Sequence, residues 1–293
     1  MEIVPSASGA LYPYQLAPLC DALAVPLSDA SSHRLDRIHN LSPEPPSKVC
    51  RTCQKNGYFK TRLNGEIVTV ECNCTEQWIL ARRFLNSGIG DVYQRYSWNH
   101  VTGINEGVTE QIRVYLDNLQ GFVDNGVGMI LWSPRTGTGK SMLTYLVLKE
   151  ALAQGYKCYF TSFTDMLDYH TAGWSDKDLR EWFVRRIMNV DILGIDDVGK
   201  ENPHRSGVVD ELFDRVIRSR TAHGRPTLIN SNLEPQRAER PKDDFSRYQQ
   251  GLLDLLEESS MRIEVSGENF RTTRRNQKID DILDGIRYPV VVR

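Results

Sequence analysis

The sequence of 293 residues is short of apolar runs: no uninterrupted stretch exceeds six residues, against the roughly 18 or more that a membrane-spanning helix needs. No membrane span is expected. The opening MEIVPSASGALYPY carries neither a basic region nor an apolar one, so no secretion signal is expected and a cytoplasmic location is the default. An excess of one charge is lacking too. Lys plus Arg is 36 and Asp plus Glu is 38, a balance of −2, so any surface for nucleic acid must be local. Repeats and long low-complexity tracts are absent. What remains, 40% apolar and 25% charged residues, is the composition of a globular protein with one large or two modest cores.

Cysteine is scarce, six in all, yet four of the six cluster as Cys50-x2-Cys53, eighteen residues, then Cys72-x-Cys74. In a reducing compartment such spacing reads as metal binding rather than disulfide bonding. Between the pairs, the alternating runs Tyr58–Leu63 and Glu66–Val70 are joined by Asn64-Gly65, a strong short hairpin signal. The expectation is a two-stranded zinc ribbon over residues 50–85, in which Cys50, Cys53, Cys72 and Cys74 hold a tetrahedral Zn2+. Four protein ligands would close the site and make it structural; redox chemistry at Cys50 and Cys53 is the alternative. From Pro46 to Leu85 seven basic residues face three acidic ones, which is +4, or +2 once four thiolates and Zn2+ are counted. A mildly basic ribbon suits nucleic acid or an acidic protein partner. Residues 1–49 read as a partner-binding segment with Pro43-Glu44-Pro45-Pro46 as a loop. Its one amphipathic stretch, Tyr14–Val25, puts Leu16, Leu19, Cys20 and Leu23 on one face, which would dock on the protein itself or on a partner.

The middle of the chain carries the chemistry. Gly128–Trp132 has strand character, Ser133–Ser141 is a loop rich in glycine, and Met142–Gln154 has helical periodicity. This is strand, phosphate loop, helix, the setting of the pattern G-x4-G-K-[ST]. Gly137, Thr138 and Gly139 would turn backbone N–H groups toward phosphates, Lys140 would reach the β and γ oxygens, and the Ser141 hydroxyl would hold Mg2+. Pro134 stands where the first glycine belongs. Val190–Asp197 reads as a buried strand ending in two acids: Asp196 would hold the metal, and Asp197 would orient and polarise an attacking water. A third buried strand, Arg225–Asn232, places Asn232 where it reaches a γ-phosphate or serves as an ordinary turn former.

The order of these pieces, CxxC, hairpin, CxC, Ala81–Ile89, Gly137-Thr-Gly-Lys-Ser, Ile195-Asp-Asp-Val-Gly, Gly224-Arg-Pro-Thr-Leu-Ile-Asn-Ser-Asn and Ile263–Arg271, resembles the bacterial and phage helicase loaders of the DnaC/DnaI type, with Ile263–Arg271 similar to the family's last core strand. That resemblance implies an α/β AAA+ P-loop ATPase core at residues 86–271, with a five-stranded parallel sheet, a zinc ribbon before it and a tail at 272–293. It implies ATP with Mg2+ as cofactors, Asp196 and Asp197 as acidic-strand residues and Asn232 as a sensor. The implied partners are a replicative hexameric helicase, single-stranded DNA, and further copies of the chain in an ATP-dependent assembly. Arg220 matches an arginine usual in the helix before the third strand. The place of the family's arginine finger is occupied by Leu255, and Arg247 lies two turns upstream.

Residues 164–189 are expected as helices capped at Ser175–Asp178, with Trp182 and Phe183 in the core. By the resemblance this region lies near a DNA path, where His170, Lys177, Arg185 and Arg186 would meet phosphates and Trp174 would stack on a base. The functional expectation is ATP-dependent loading of a hexameric helicase. Alternatives are a transposition helper ATPase of the IstB type, which usually lacks the cysteine ribbon, and a non-hydrolysing adaptor that holds nucleotide structurally.

Overall fold

The computed structural model describes residues 58–63, 66–71, 83–84, 86–90, 93, 98, 101, 103–200, 206–235, 245, 248–267 and 269–283. The N-terminal segment 1–49, the four clustered cysteines, the Asn64-Gly65 turn, Arg247 and the residues after Leu283 lie outside them.

Strands β1 (Tyr58–Leu63) and β2 (Glu66–Glu71) pair antiparallel, Leu63 opposite Glu66 and Tyr58 opposite Glu71. Leu63 and Glu66 close a two-residue connection, the length that the Asn-Gly pair favours.

The larger unit is a parallel sheet with the order β4-β5-β6-β3-β7. Its strands are β3 (Gly128–Trp132), β4 (Cys158–Ser162), β5 (Ile192–Val198), β6 (Thr227–Ser231) and β7 (Ser260–Glu264). The inner strands β3, β5 and β6 are buried along most of their length rather than at alternate positions because helices cover both faces of the sheet, whereas the edge strand β7 buries only Ile263. The pleat divides these runs between two cores. Met129, Leu131 and Leu228 face a cluster with α1 (Glu106–Asp117), α2 (Leu119–Asp124) and α3 (Lys140–Ala153). Ile130, Leu193, Ile195 and Ile229 face the other. There they meet α4 (Phe163–Ala172), α5 (Lys177–Phe183), α6 (Ser206–Ala222) and α7 (Gln250–Ser259). Fully buried side chains such as Ile112, Leu131, Ile195 and Phe213 each contribute about 1.5–3 kcal/mol by leaving water.

Helix α3 is apolar all round because it is covered all round, by the sheet and by α1. Two charged residues near its end are buried as well. Lys149 lies over the Phe84 ring, and Glu150 accepts the Trp98 indole N–H at 2.6 Å, with burial raising its carboxyl to about 7. The segment leading into this unit docks on the outer strand, where Phe160 N–H donates to Ser87 O at 2.6 Å.

The expected helical insert is α4, α5 and one wide turn, Val184–Met188, closed by Asn189 N–H on Val184 O. Asp176 caps α5 by accepting from Asp178 N and Leu179 N, and Phe183 is buried. One expectation needs correction: the last strand ends at Glu264 rather than continuing to Arg271, and α8 (Phe270–Leu283) follows it. Ser266 and Gly267 end the strand: Val265 N–H still reaches Trp132 O at 2.8 Å, whereas Ser266 N–H turns back to Glu264 O.

Candidate functional site

The carboxyl ends of β3, β5 and β6 open onto one cleft of about 290 Å3. Its floor is the phosphate loop. Gly137 and Gly139 sit at φ of 78° and 97°, a region in which only glycine is unstrained. At Gly137 a Cβ would also come within 2.2 Å of Asn269 Oδ1. The loop feeds directly into α3, whose first N–H groups lack intrahelical partners and face the cleft, a ready arrangement for an anion. Lys140 is the first residue of that helix. Its Nζ donates to Arg135 O at 3.1 Å, folding the loop around its own lysine. Burial first, then the field of Lys200, lowers the Lys140 ammonium to about 8. A phosphate in the cleft would reverse both effects. Thr138 Oγ1 is buried in the same loop and finds no partner among the described residues.

The acidic wall comes from β5. Ile195 pairs with Ile229 but Val198 with Ser231, so three steps on β5 span two on β6. The extra residue is a bulge, a device that re-aims side chains beside active sites. Here it turns the two acids apart. Asp196 points inward and is held from both sides: Ser141 Oγ donates to Oδ2 at 2.8 Å and Asn230 Nδ2 to Oδ1 at 2.9 Å. Burial raises its carboxyl above the usual range, while these two donors oppose the rise. Thr144 Oγ1 in turn donates to Asn230 Oδ1 at 2.7 Å. Asp197, at φ 59°, points into the cleft and pairs with Lys200. The donor set of one hydroxyl and one carboxylate, already in contact, suits Mg2+, an oxygen-seeking ion that usually keeps several waters.

Of the residues expected in the site, Thr138, Gly137, Gly139, Lys140, Ser141, Asp197 and Asn232 all line the cleft, and Asp196 stands behind Ser141. Asn232 lies one residue past β6 at the mouth. Sequence reading missed Asn230, whose inward side chain in a fully buried strand was its only signal. It also missed Lys200, Arg271 and Tyr93, which line the cleft from outside the motif. Arg271 arrives because Phe270 N–H donates to Gly137 O at 3.0 Å, seating the start of α8 on the phosphate loop. Nothing in its local sequence announces that contact.

Arg220, matched to an arginine usual before the third strand, is fully buried, and its guanidinium donates to the Ile187, Met188, Val190, Asp191 and Pro226 carbonyls and to Thr227 Oγ1, so it ties the amino ends of β5 and β6 together. Leu255 is half-buried against the second core. Arg186, expected to meet DNA phosphates, donates instead to Asn86 O at 2.7 Å and Asn86 Oδ1 at 2.9 Å. Lys177 pairs with Glu181 on the exposed face of α5. Trp174 is 61% exposed. Cys50, Cys53, Cys72 and Cys74 lie outside the described residues.

A phosphate loop and an acid-tipped strand at the carboxyl ends of a five-stranded parallel sheet define a P-loop type of nucleotide-binding fold. The chain belongs to the IstB-like ATP binding protein family, whose profile matches residues 95–278. It is 24% identical over 208 residues to the uncharacterized protein YdaV of Escherichia coli (strain K12), an alignment covering 69% of this chain and 82% of that one. Among solved structures it is similar to the DnaC helicase loader, at 22% identity and TM-score 0.49, over 63% of this chain and 99% of that one. It is also similar to DnaI, at 18% identity and TM-score 0.49, over 65% and 100%. A DNA replication initiation factor matches at 20% identity and TM-score 0.45 over 62% of this chain, which spans about half, 51%, of that structure. No helix among the described residues is long and apolar enough to cross a membrane.

Proposed function

We propose that the chain is an ATPase that loads a replicative hexameric DNA helicase onto single-stranded DNA. The observation that carries the reading is the combination of the cleft with what precedes it: a paired β1–β2 hairpin whose two ends run into Cys50-x2-Cys53 and Cys72-x-Cys74. In that reading the cleft binds ATP with Mg2+. Lys140 and the N–H groups of the loop hold the phosphates, Ser141 and Asp196 hold the metal, and Asp197 orients a water against the γ-phosphorus. The new P–O bond forms as the bond to the β,γ-bridging oxygen breaks, its electron pair leaving on ADP and the water proton passing to Asp197. Asn230 is a positioning residue that keeps Asp196 aimed. Zn2+ on the four cysteines stabilises the ribbon that grips the helicase, and ATP-bound copies assemble to complete a path for single-stranded DNA.

A transposition helper ATPase is the second reading, favoured by the match to IstB-like proteins. Co-purification with the host's hexameric helicase against co-purification with a transposase separates the two. For the loader, affinity for single-stranded DNA by anisotropy rises with a non-hydrolysable ATP analogue over ADP and falls with salt, and duplex competes poorly. Equal affinity in both nucleotide states with duplex preferred refutes it. One Zn2+ per chain is expected. A metal-free chain that still binds helicase normally refutes the role of the ribbon.

A further inference from the structure

The cleft holds a second lysine to which the phosphate-binding motif gives no role. Lys200 lies two residues beyond β5. Its N–H donates to Asp197 O at 3.3 Å, and this turn brings its ammonium back onto Asp197 Oδ1. The pair is not part of the core: the two side chains are 44% and 52% exposed, and an ion pair so wet adds little to stability. It stands instead in the cleft, with Lys140, Ser141 and Asn232. Lys200 is close enough to Lys140 to be the largest charge effect on it. Two ammonium groups share this space, and an anion between them relieves their repulsion.

Asp197 is the other half of the observation. It is the one non-glycine among the described residues with positive φ, a conformation that persists only where the surroundings enforce it. The β5 bulge and the turn to Lys200 enforce it here, so the carboxylate faces the cleft with its lysine already attached. A carboxylate so paired is a poor acceptor for a water. At the place where the resemblance to helicase loaders puts an arginine, α7 carries Leu255, packed against the second core.

We propose that Lys200 is a γ-phosphate sensor acting within its own chain: without a γ-phosphate its ammonium holds Asp197, and a bound triphosphate draws it across and frees Asp197 for the water. This rests on the ATP-hydrolysing reading above. The γ-phosphate carries more charge than one carboxylate and offers three acceptor oxygens, so the transfer runs toward nucleotide. Loss of the γ-phosphate returns the lysine to Asp197. ATP and ADP are thereby distinguished by a single side chain, with no residue from a second copy.

The test uses the full chain with Lys200→Gln and Lys200→Arg, measuring ATP and ADP dissociation constants with fluorescent nucleotides alongside turnover. The unsubstituted chain prefers ATP. Lys200→Gln weakens ATP about tenfold, the scale of a lost hydrogen bond to a charged group, keeps ADP within about twofold, and lowers turnover only below saturating ATP. Lys200→Arg restores the preference. A ratio of ATP to ADP affinity unchanged by Lys200→Gln, or an equal loss of both nucleotides, overturns the proposal. Failure of the unsubstituted chain to bind ATP removes the underlying reading and the proposal with it.

Discussion

The two ends of the sheet handle buried polarity in opposite ways. At the amino ends of β5 and β6, Arg220 is buried to 0% exposure, and its nitrogens are spent on five carbonyls and a hydroxyl. At the carboxyl ends, the network Thr144–Asn230–Asp196–Ser141 is satisfied only on its inner side. Beyond it lie the unpartnered Thr138 hydroxyl, the half-exposed Asp197–Lys200 pair and a lysine whose ammonium burial opposes. One end is saturated, so it can only hold the fold together. The other keeps donors and charges in reserve at the place where parallel sheets bind ligands, outside the carboxyl ends of their strands. The difference is one of satisfaction rather than of polarity.

Substitutions at four positions break or sharpen that contrast. The largest effect is expected at the saturated end. Arg220→Ala removes a donor from six acceptors, leaves a cavity in the interior and should cost about 3–5 kcal/mol in urea unfolding. Arg220→Lys should rescue little because one ammonium cannot reach carbonyls on both strands. At the open end, Lys140→Ala should lower ATP affinity at least about 100-fold, near 2.7 kcal/mol, with little change in the unfolding midpoint. An equal loss of stability at both positions would erase the distinction between the ends.

Glu150, near the far end of α3, is the titrating exception at the closed side. Its folded-state carboxyl titrates at about 7, above its ordinary 4.5, so the folded chain holds the proton more tightly than the unfolded one. Its contribution is complete below about pH 4.5 and is lost as pH rises through 7, by at most about 3 kcal/mol. Unfolding midpoints measured from pH 5 to 8 should therefore fall more for the native chain than for Glu150→Gln, which keeps an acceptor for Trp98. Parallel pH profiles would show that Glu150 titrates normally. The smallest effect is expected at Asn230→Ala, about 1–3 kcal/mol for one unpaired buried group. It should slow ATP turnover more than it weakens ATP binding, since it unaims Asp196 without touching the phosphate loop.

Much of the fold was legible because its signals are local. The apolar runs at Gly128–Trp132 and Thr227–Ser231, the glycines at 137 and 139, and the Asp176 cap each announce their element within a few residues. The sites of Lys140, Ser141, Asp196 and Asp197 follow from the same local grammar. Arg186 was misread for the opposite reason: an arginine on a helix carries no local mark of whether it faces solvent or a distant backbone, and its partner Asn86 is 100 residues away. The extent of β7 was misread because Ser266 and Gly267 end it through a turn that Val-Ser-Gly does not announce.

By itself, then, the sequence determined the class of chemistry, since a phosphate loop needs glycine, lysine and a hydroxyl at fixed short spacing along one turn of chain. Tertiary structure alone decided which residues from outside the phosphate loop meet at the cleft or stand behind it. Asn230 was chosen by the register of β6 against β5, Arg271 by the contact of Phe270 with Gly137, and Lys200 by a bulge that reverses the chain after Asp197. Each of these depends on where two distant backbones meet, and side chains brought together by sheet pairing and loop closure carry no common spacing in the chain from which their meeting could be read.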